Sequence, residues 1–406
     1  MNSSLILLLI LTPLLFSKFG QFAYFFAGAI AVFGSSDIDF SKILYFFVIS
    51  TLALKAIVEI VVKNRVDFEI RLLKNSMLVS LIFIFYCAFI GYQNQNSTLE
   101  IARAMIPFAL YFFGLPLAIV SGYSVSFNRL RNLFISLGVI ASFAVWFKWS
   151  QLRGVNSFGL TRIGLDADWM VFLSFIIILN TRQKEKFQNL YDWISGLLIT
   201  SFMFLSLTRT NIVLLIFIIL ISGFFSKNLV RYSLNVVSTA IATLIGIFTL
   251  LKFQQNTSRI SSRLTSSFGR LKLGLSSDGI GGDSSIILRE NQKNFSLEIF
   301  SNNSMFGVGI LPRNVTLDTF FASIAQFGVI GMGIFGSLLY LHFKLTFKPT
   351  KNYLDSASGL KILFIMMIPS SFIYNWPANK SVWLALVGLV ALNHAQLQKN
   401  ILIEAR

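Results

Sequence analysis

The chain has 406 residues, of which 55% are hydrophobic and only 13% are charged. A soluble domain of this composition would leave too much apolar surface in water, so a water-soluble globular fold is excluded. The formal net charge is +17, but the basic residues lie between apolar runs and not in a lysine-rich tail, so we expect no nucleic-acid partner.

Apolar runs long enough to cross a hydrocarbon core of roughly 30 Å recur along the whole chain. They cover 4–17, 20–34, 42–62, 76–92, 101–122, 129–147, 166–181, 189–207, 211–226, 232–251, 317–343, 359–375 and 380–396. The first two runs are short and flank Lys18, so they form either a hairpin or one long broken helix. We therefore predict an all-α integral membrane protein, a polytopic bundle of 12–13 transmembrane helices.

Basic residues predict the orientation of these helices. Loops 63–75, 182–186 and 344–361 are rich in Lys and Arg, and two further basic turns lie at 129–131 and 227–231. All five fall on one side if the spans alternate, and the positive-inside rule assigns that side to the cytoplasm. The sequence thus predicts a bacterial inner membrane protein with a cytoplasmic C-terminus.

Two loops on the opposite, periplasmic side carry unexpected positive charge. Loop 148–165 contains Lys148, Arg153 and Arg162 and no acid, and loop 252–316 contains eight Lys and Arg residues against four acids. Because cations on this side work against the predicted topology, an anionic ligand is the simplest reason to keep them.

The chain therefore divides into three regions. Residues 1–251 hold the first ten spans, residues 252–316 form one large periplasmic loop, and residues 317–406 hold the last three spans. Within the large loop, 285–302 reads as an amphipathic helix whose apolar side comprises Ile286, Ile287, Phe295, Leu297 and Phe300. A glycine turn, MFGVGI, follows it.

Three residues are candidates for catalysis. Arg209 lies between two spans that are joined by almost no loop, Arg289 opens the loop helix, and Asp318 begins the eleventh span. A cation at the membrane edge normally faces a cavity or a partner. Each residue also has a simpler explanation, which is snorkelling for Arg209, a solvated helix face for Arg289 and an N-cap for Asp318.

Other charged residues carry weaker signals. Arg153 and Arg270 each start an Arg-x10-Gly pattern in the two basic periplasmic loops. Lys55 and Glu59 lie four residues apart on one helix face, so we expect them to neutralise each other, with a proton-coupled site as the alternative. The only cysteine is Cys87, and the two histidines are not in a metal-like cluster, so we expect no disulfide, metal or other cofactor.

From about Leu205 to Gly333 the chain resembles the O-antigen polymerases (Wzy type), which are relatives of the O-antigen ligases. The resemblance is carried by LTRTNIVLL, the long external loop, IILRENQ, MFGVGI and DTFFASIAQFGVIG in that order. It implies a GT-C-like membrane fold and glycosyl transfer at the periplasmic face. The substrates would be undecaprenyl-pyrophosphate-linked oligosaccharides, as donor and as acceptor, and a chain-length regulator would be a partner.

The resemblance assigns Arg209 and Arg289 to the donor pyrophosphate, which suits guanidinium because it binds phosphate oxygens through two parallel donors. Arg153, Arg162, Arg270 and Arg313 would complete the substrate site. Ligases carry an external histidine near the position of Asp318, and this chain has none outside, so polymerase is favoured over ligase. A flippase for lipid-linked oligosaccharides is the other alternative.

Overall fold

The computed structural model describes residues 3–33, 39–62, 67–151, 161–180, 186–205, 209–224, 284–309, 320–346 and 380–404, and three isolated residue pairs between 232 and 241. All regular elements in these ranges are helical, as the sequence predicts. The α-helices are α1 (Ser3–Leu11), α2 (Lys18–Val32), α3 (Phe40–Val62), α4 (Asp67–Gln93), α5 (Thr98–Ser124), α6 (Phe127–Gln151), α7 (Thr161–Asn180), α8 (Lys186–Leu205), α9 (Arg209–Phe224), α10 (Ser284–Asn302), α11 (Phe320–Thr346) and α12 (Lys380–Glu404).

Four of the described helices are long and apolar enough to cross a membrane. They are Phe40–Val62, Ile70–Gln93, Thr98–Ser124 and Phe321–Thr346, with mean hydropathies between 1.7 and 2.0. The protein is therefore a helical membrane protein. Its number of spans and the identity of the membrane stay predictions.

The N-terminal segment is broken, which was one of the two forms expected. A 3-10 helix (Thr12–Phe16) follows α1, and Ser17 is extended with its side chain capping α2. Gly20 lies directly against the backbone of Leu14, where a Cβ atom would be 1.6 Å from the Leu14 oxygen. The chain therefore bends between the 3-10 helix and α2, and both α1 and the 3-10 helix contact α2.

Helix α12 is the centre of the bundle. Every residue from 381 to 395 is buried, and the helix contacts α5, α6, α7 and α11. Small residues allow these contacts to be close, because Gly114 of α5 faces Val387 and Gly122 faces Ala391 and His394. A helix buried on all sides needs no polar face, which explains its run of Val, Leu and Ala.

The pairs of residues in contact give the helix directions. Gly114 meets Val387 and Gly122 meets His394, so α5 and α12 run parallel. Helix α11 runs the same way, because Phe108 of α5 lies near Phe327 and Tyr111 lies near His342. Helix α4 runs opposite to them, since it joins α5 through residues 94–97.

The starts of α5, α11 and α12 therefore lie at one end of the bundle, which we call the junction end. Helix α6 starts at the opposite end, after two residues from α5. The basic residues Arg129, Arg131 and Lys344 lie at this opposite end, together as the sequence predicts. Its assignment to the cytoplasm stays a prediction.

Candidate functional site

Helix α11 is broken near the junction end. Gly328 has φ 61° and ψ −173°, which is not helical, and separates residues 320–327 from residues 329–346. Gly328 lies eight residues after the helix start at Phe320, which places the break about 12 Å along the helix at 1.5 Å per residue. The sequence predicted one continuous span over 317–343, and this prediction is wrong at Gly328.

The break is filled by residues 303–309, which follow α10. We call residues 303–309 and 325–330 together the glycine junction. Four backbone hydrogen bonds cross it: Val329 N–H to Ser304 O (2.8 Å), Ile330 N–H to Met305 O (3.1 Å), Val308 N–H to Ala325 O (3.1 Å) and Gly309 N–H to Gln326 O (2.9 Å).

These four bonds are an exchange of helical partners. In an unbroken helix Val329 N–H would donate to Ala325 O, and Val308 N–H would donate to Ser304 O if α10 continued. Here each amide takes the carbonyl that the other has left. Each segment also contains the tripeptide Phe-Gly-Val, at 306–308 and at 327–329, so the junction is nearly symmetric in sequence and in bonding.

Both central glycines are required by the geometry. Gly307 has φ 71° and Gly328 has φ 61°, a region that residues with a Cβ atom rarely adopt. A Cβ on Gly307 would lie 2.3 Å from Gln326 O, and one on Gly328 would lie 2.4 Å from Gly307 N. The two backbones therefore cross in direct contact.

Helix α4 holds the junction in place. Tyr86 lies on α4, and its hydroxyl is 2.8 Å from Phe306 O and 2.9 Å from Phe327 O. Neither of these carbonyls accepts one of the four exchanged hydrogen bonds. Gly309 also lies against α4, where its Cβ would be 2.8 Å from Gly91 N. The four exchanged amides and the Phe306 and Phe327 carbonyls thus have partners within the protein, as backbone groups in a membrane interior require.

The junction also positions α10 against the first part of α11. Ser296 is fully buried, while Ile299 and Val308 pack on Ala322. Lys293 Nζ lies 5.6 Å from the centre of the Phe321 ring, at the outer limit of a cation–π contact. Helix α10 therefore lies on α11, one turn after the position of Arg289.

The helix predicted over 285–302 is confirmed. On its predicted apolar side, Phe295 is 41% exposed and Leu297 is 39% exposed, whereas Ser296 between them is buried. The side chains of Ile286 and Ile287 lie outside the described residues. A short side chain allows the backbones of α10 and α11 to approach closely. The pattern of large apolar residues could not reveal this, because the contact selects for small size.

Two lysines, Lys42 and Lys380, lie close together at the junction end. Lys42 is only 2% exposed, and its Nζ lies 6.0 Å from the Phe33 ring, while Lys380 Nζ lies 5.9 Å from it. Lys380 also donates to Phe33 O at 2.5 Å. Two ammonium groups near the C-terminus of α2 are favoured by the negative end of its dipole.

The opposite end is held by ion pairs. Arg131 of α6 is fully buried and donates to Asp192 of α8 at 2.5 Å. The predicted pairing of Glu59 with Lys55 is corrected in part, because Glu59 forms an ion pair with Lys18 of α2 and Lys55 is exposed.

A buried polar chain also lies in this half of the bundle. Tyr111 Oη is 2.8 Å from His342 Nδ1, and Thr346 Oγ1 is 3.4 Å from His342 Nε2. Asn393 of α12 donates to Thr346 O at 2.5 Å. This row of polar side chains links α5, α11 and α12. The sequence analysis assigned no role to His342.

The predicted site residues lie at or beyond the edges of what the structure describes. Arg209, Arg289 and Arg162 stand in helices α9, α10 and α7, but only their backbone positions are described. Arg153, Arg270, Arg313 and Asp318 lie outside the described residues. Helix α7 begins at Thr161, inside the stretch 148–165 that was predicted as a loop.

Helix directions locate the position of Arg209. Helix α8 runs parallel to α6, because Arg131 meets Asp192 and Phe143 meets Phe202. It therefore ends at the junction end, and α9 begins there with Arg209 after a gap of residues 206–208.

The sequence carries one signal of the junction, the tripeptide Phe-Gly-Val in two glycine-rich segments. The repeat alone does not predict that the two segments contact each other. Within the described ranges no group of three or more His, Cys, Asp or Glu side chains could hold a metal. The described cations at the junction end include Lys293 on α10, and Lys42 and Lys380 beside Phe33.

Comparison of the chain with models of protein families and with curated proteins finds no match.

Proposed function

We propose that this protein is a polysaccharide repeat-unit polymerase of the O-antigen type. It transfers a growing glycan from undecaprenyl pyrophosphate onto the sugar of the next lipid-linked repeat unit at the periplasmic face. Arg209 and Arg289 bind the donor pyrophosphate, and Asp318 contacts the acceptor hydroxyl. Arg153, Arg162, Arg270 and Arg313 bind the substrates.

The observation that carries this proposal is the attachment of α10 to the junction end. The glycine junction ties α10, which contains position 289, to α4 and α11 by four backbone bonds and the Tyr86 hydroxyl. Helix α9 begins with Arg209 at the same end. A loop helix held against the bundle in this way can keep a guanidinium near the membrane surface, where a lipid pyrophosphate lies.

Fixed cations suit this reaction because negative charge develops on the leaving pyrophosphate. Guanidinium groups held by helices stabilise that charge without reorganising during the reaction. The donor already carries an activated sugar, so no nucleotide-sugar site is needed for this chemistry.

The test is the glycan pattern of cells that carry variants of the chain. Arg209→Ala or Arg289→Ala is expected to abolish long chains and leave single repeat units on the lipid core, with normal protein levels in the membrane. Glu298→Ala on α10 and Arg129→Ala at the opposite end are the matched controls, because both side chains are exposed. Unchanged chain lengths in both arginine variants would overturn the assignment.

One observation favours a second function, that of a transporter for lipid-linked oligosaccharides. Transporters use discontinuous helices at their substrate sites, and α11 is discontinuous at Gly328. Deletion of the gene separates the functions. Loss of a polymerase leaves single repeat units, loss of a transporter leaves lipid-linked units on the cytoplasmic side, and loss of a ligase leaves no glycan on the lipid core.

A further inference from the structure

The glycine junction presents two large apolar side chains outward. Met305 is 57% exposed and Phe306 is 54% exposed. They lie in the turn 302–307, where Asn302, Asn303 and Ser304 precede them and Gly307 follows. They are the two large apolar residues of this turn. Exposed neighbours of this size in a structured turn indicate contact with something apolar.

This apolar pair continues the outer faces of two membrane-spanning helices. Ile330 of α11 donates to the Met305 carbonyl, and Val329 beside it is 56% exposed. On the other side, the Phe306 carbonyl lies 2.8 Å from the hydroxyl of Tyr86 on α4. Both helices are among the candidate membrane spans.

The face of α4 next to Tyr86 is also apolar and exposed. Phe85 is 65% exposed and Phe89 is 59% exposed. Phe89 stands three residues after Tyr86, so it lies beside it on the helix surface. Tyr86 itself lies seven residues before the end of α4 at Gln93, which is about 10 Å inside that end. The junction therefore lies at the depth of the outermost turns of the spans.

A non-helical turn can enter lipid only if its backbone groups are bonded, since no water is present to replace the missing partners. At the junction, four exchanged amide hydrogen bonds and the Tyr86 hydroxyl supply such partners within the protein. The turn changes over a few residues from polar Asn302 and Asn303 to apolar Met305 and Phe306.

We propose that Met305 and Phe306 insert into the acyl-chain region of the leaflet at the junction end. The loop helix α10 is thereby anchored to the membrane at its C-terminal end, and the occupant of this surface is the bilayer. The inference holds for a polymerase and for a transporter alike, because it rests on the packing of the junction and not on the reaction.

Site-directed spin labelling tests this insertion. The only cysteine, Cys87, is 3% exposed, so the unmodified chain should take up little nitroxide and serves as the blank. Phe306→Cys and Met305→Cys are labelled in the full-length protein, reconstituted into phosphatidylcholine–phosphatidylglycerol vesicles. Asn302→Cys, four residues before position 306, is the matched polar control. Relaxation by dissolved oxygen and by a water-soluble nickel chelate is compared at each position.

The expected result is a ratio of oxygen to nickel accessibility that is several-fold higher at 305 and 306 than at 302. A ratio at 306 equal to that at 302 would place the turn in water and overturn the proposal. Low accessibility to both reagents at 306 would also overturn it, because a second copy or another part of the protein would then cover the surface. Monodisperse gel filtration of each variant confirms that it is folded.

Discussion

The glycine junction makes a sharp prediction for Gly328→Ala. The added Cβ would lie 2.4 Å from Gly307 N, 2.6 Å from Met305 O and 2.6 Å from Phe306 C. All three are backbone atoms, so no flexible side chain can move aside. The two segments must separate, and the hydrogen bonds between them must lengthen.

The magnitude follows from two contributions. A residue with a Cβ atom in the conformation of Gly328, φ 61° and ψ −173°, is destabilised by about 1–3 kcal/mol. Separation of the segments weakens four backbone bonds that contribute roughly 1 kcal/mol each. We therefore expect Gly328→Ala to lower the free energy of unfolding by about 2–5 kcal/mol.

The matched control is Gly333→Ala, on the same helix. Nothing lies within 4 Å of a Cβ at Gly333, and Ala is favoured over Gly in a helix interior by about 1 kcal/mol. Thermal unfolding in detergent is followed with a maleimide dye, because Cys87 is buried and reacts only when the helices come apart. Gly328→Ala should unfold several degrees below the wild type and Gly333→Ala at or above it. Equal unfolding temperatures for both variants would refute the close crossing of the backbones.

Two further contacts give predictions by the same dye assay. Tyr86→Phe removes the hydroxyl that contacts the Phe306 and Phe327 carbonyls, so we expect the free energy of unfolding to fall by about 1–3 kcal/mol. Tyr92→Phe is the control, because the Tyr92 side chain is 77% exposed. Equal stability of the two variants would contradict the Tyr86 hydrogen bond. Asp192→Ala leaves the buried Arg131 guanidinium without its carboxylate, which should cost about 3–5 kcal/mol. The double variant Arg131→Met/Asp192→Leu should regain most of the lost stability, because it buries no unpaired charge. A double variant as unstable as Asp192→Ala would argue against the ion pair.

The helical membrane character of the chain could be predicted because composition and the lengths of apolar runs depend only on local sequence. The loop helix at 285–302 was predictable for the same reason, and so was the break near Lys18. The gathering of Arg129, Arg131 and Lys344 at one end followed from simple alternation of the spans.

Contacts between distant positions could not be predicted in this way. The partner of Glu59 is Lys18, and Arg131 pairs with Asp192 across 61 positions of sequence. The break at Gly328 depends on the partner segment around Gly307, which lies 21 residues earlier in the sequence. A glycine in an apolar run is common in membrane helices, so its conformation was decided by tertiary contact and not by the run itself.

The central claim is that the chain itself joins lipid-linked repeat units. The most direct test is purified protein in vesicles with undecaprenyl-pyrophosphate-linked repeat units as the only substrate, analysed by gel for chain length. We predict a ladder of products of two, three and more units from the wild type, and none from Arg289→Ala at equal protein. The claim would be contradicted if the substrate stayed as single units with the wild-type protein, or if the protein only moved it from one leaflet to the other.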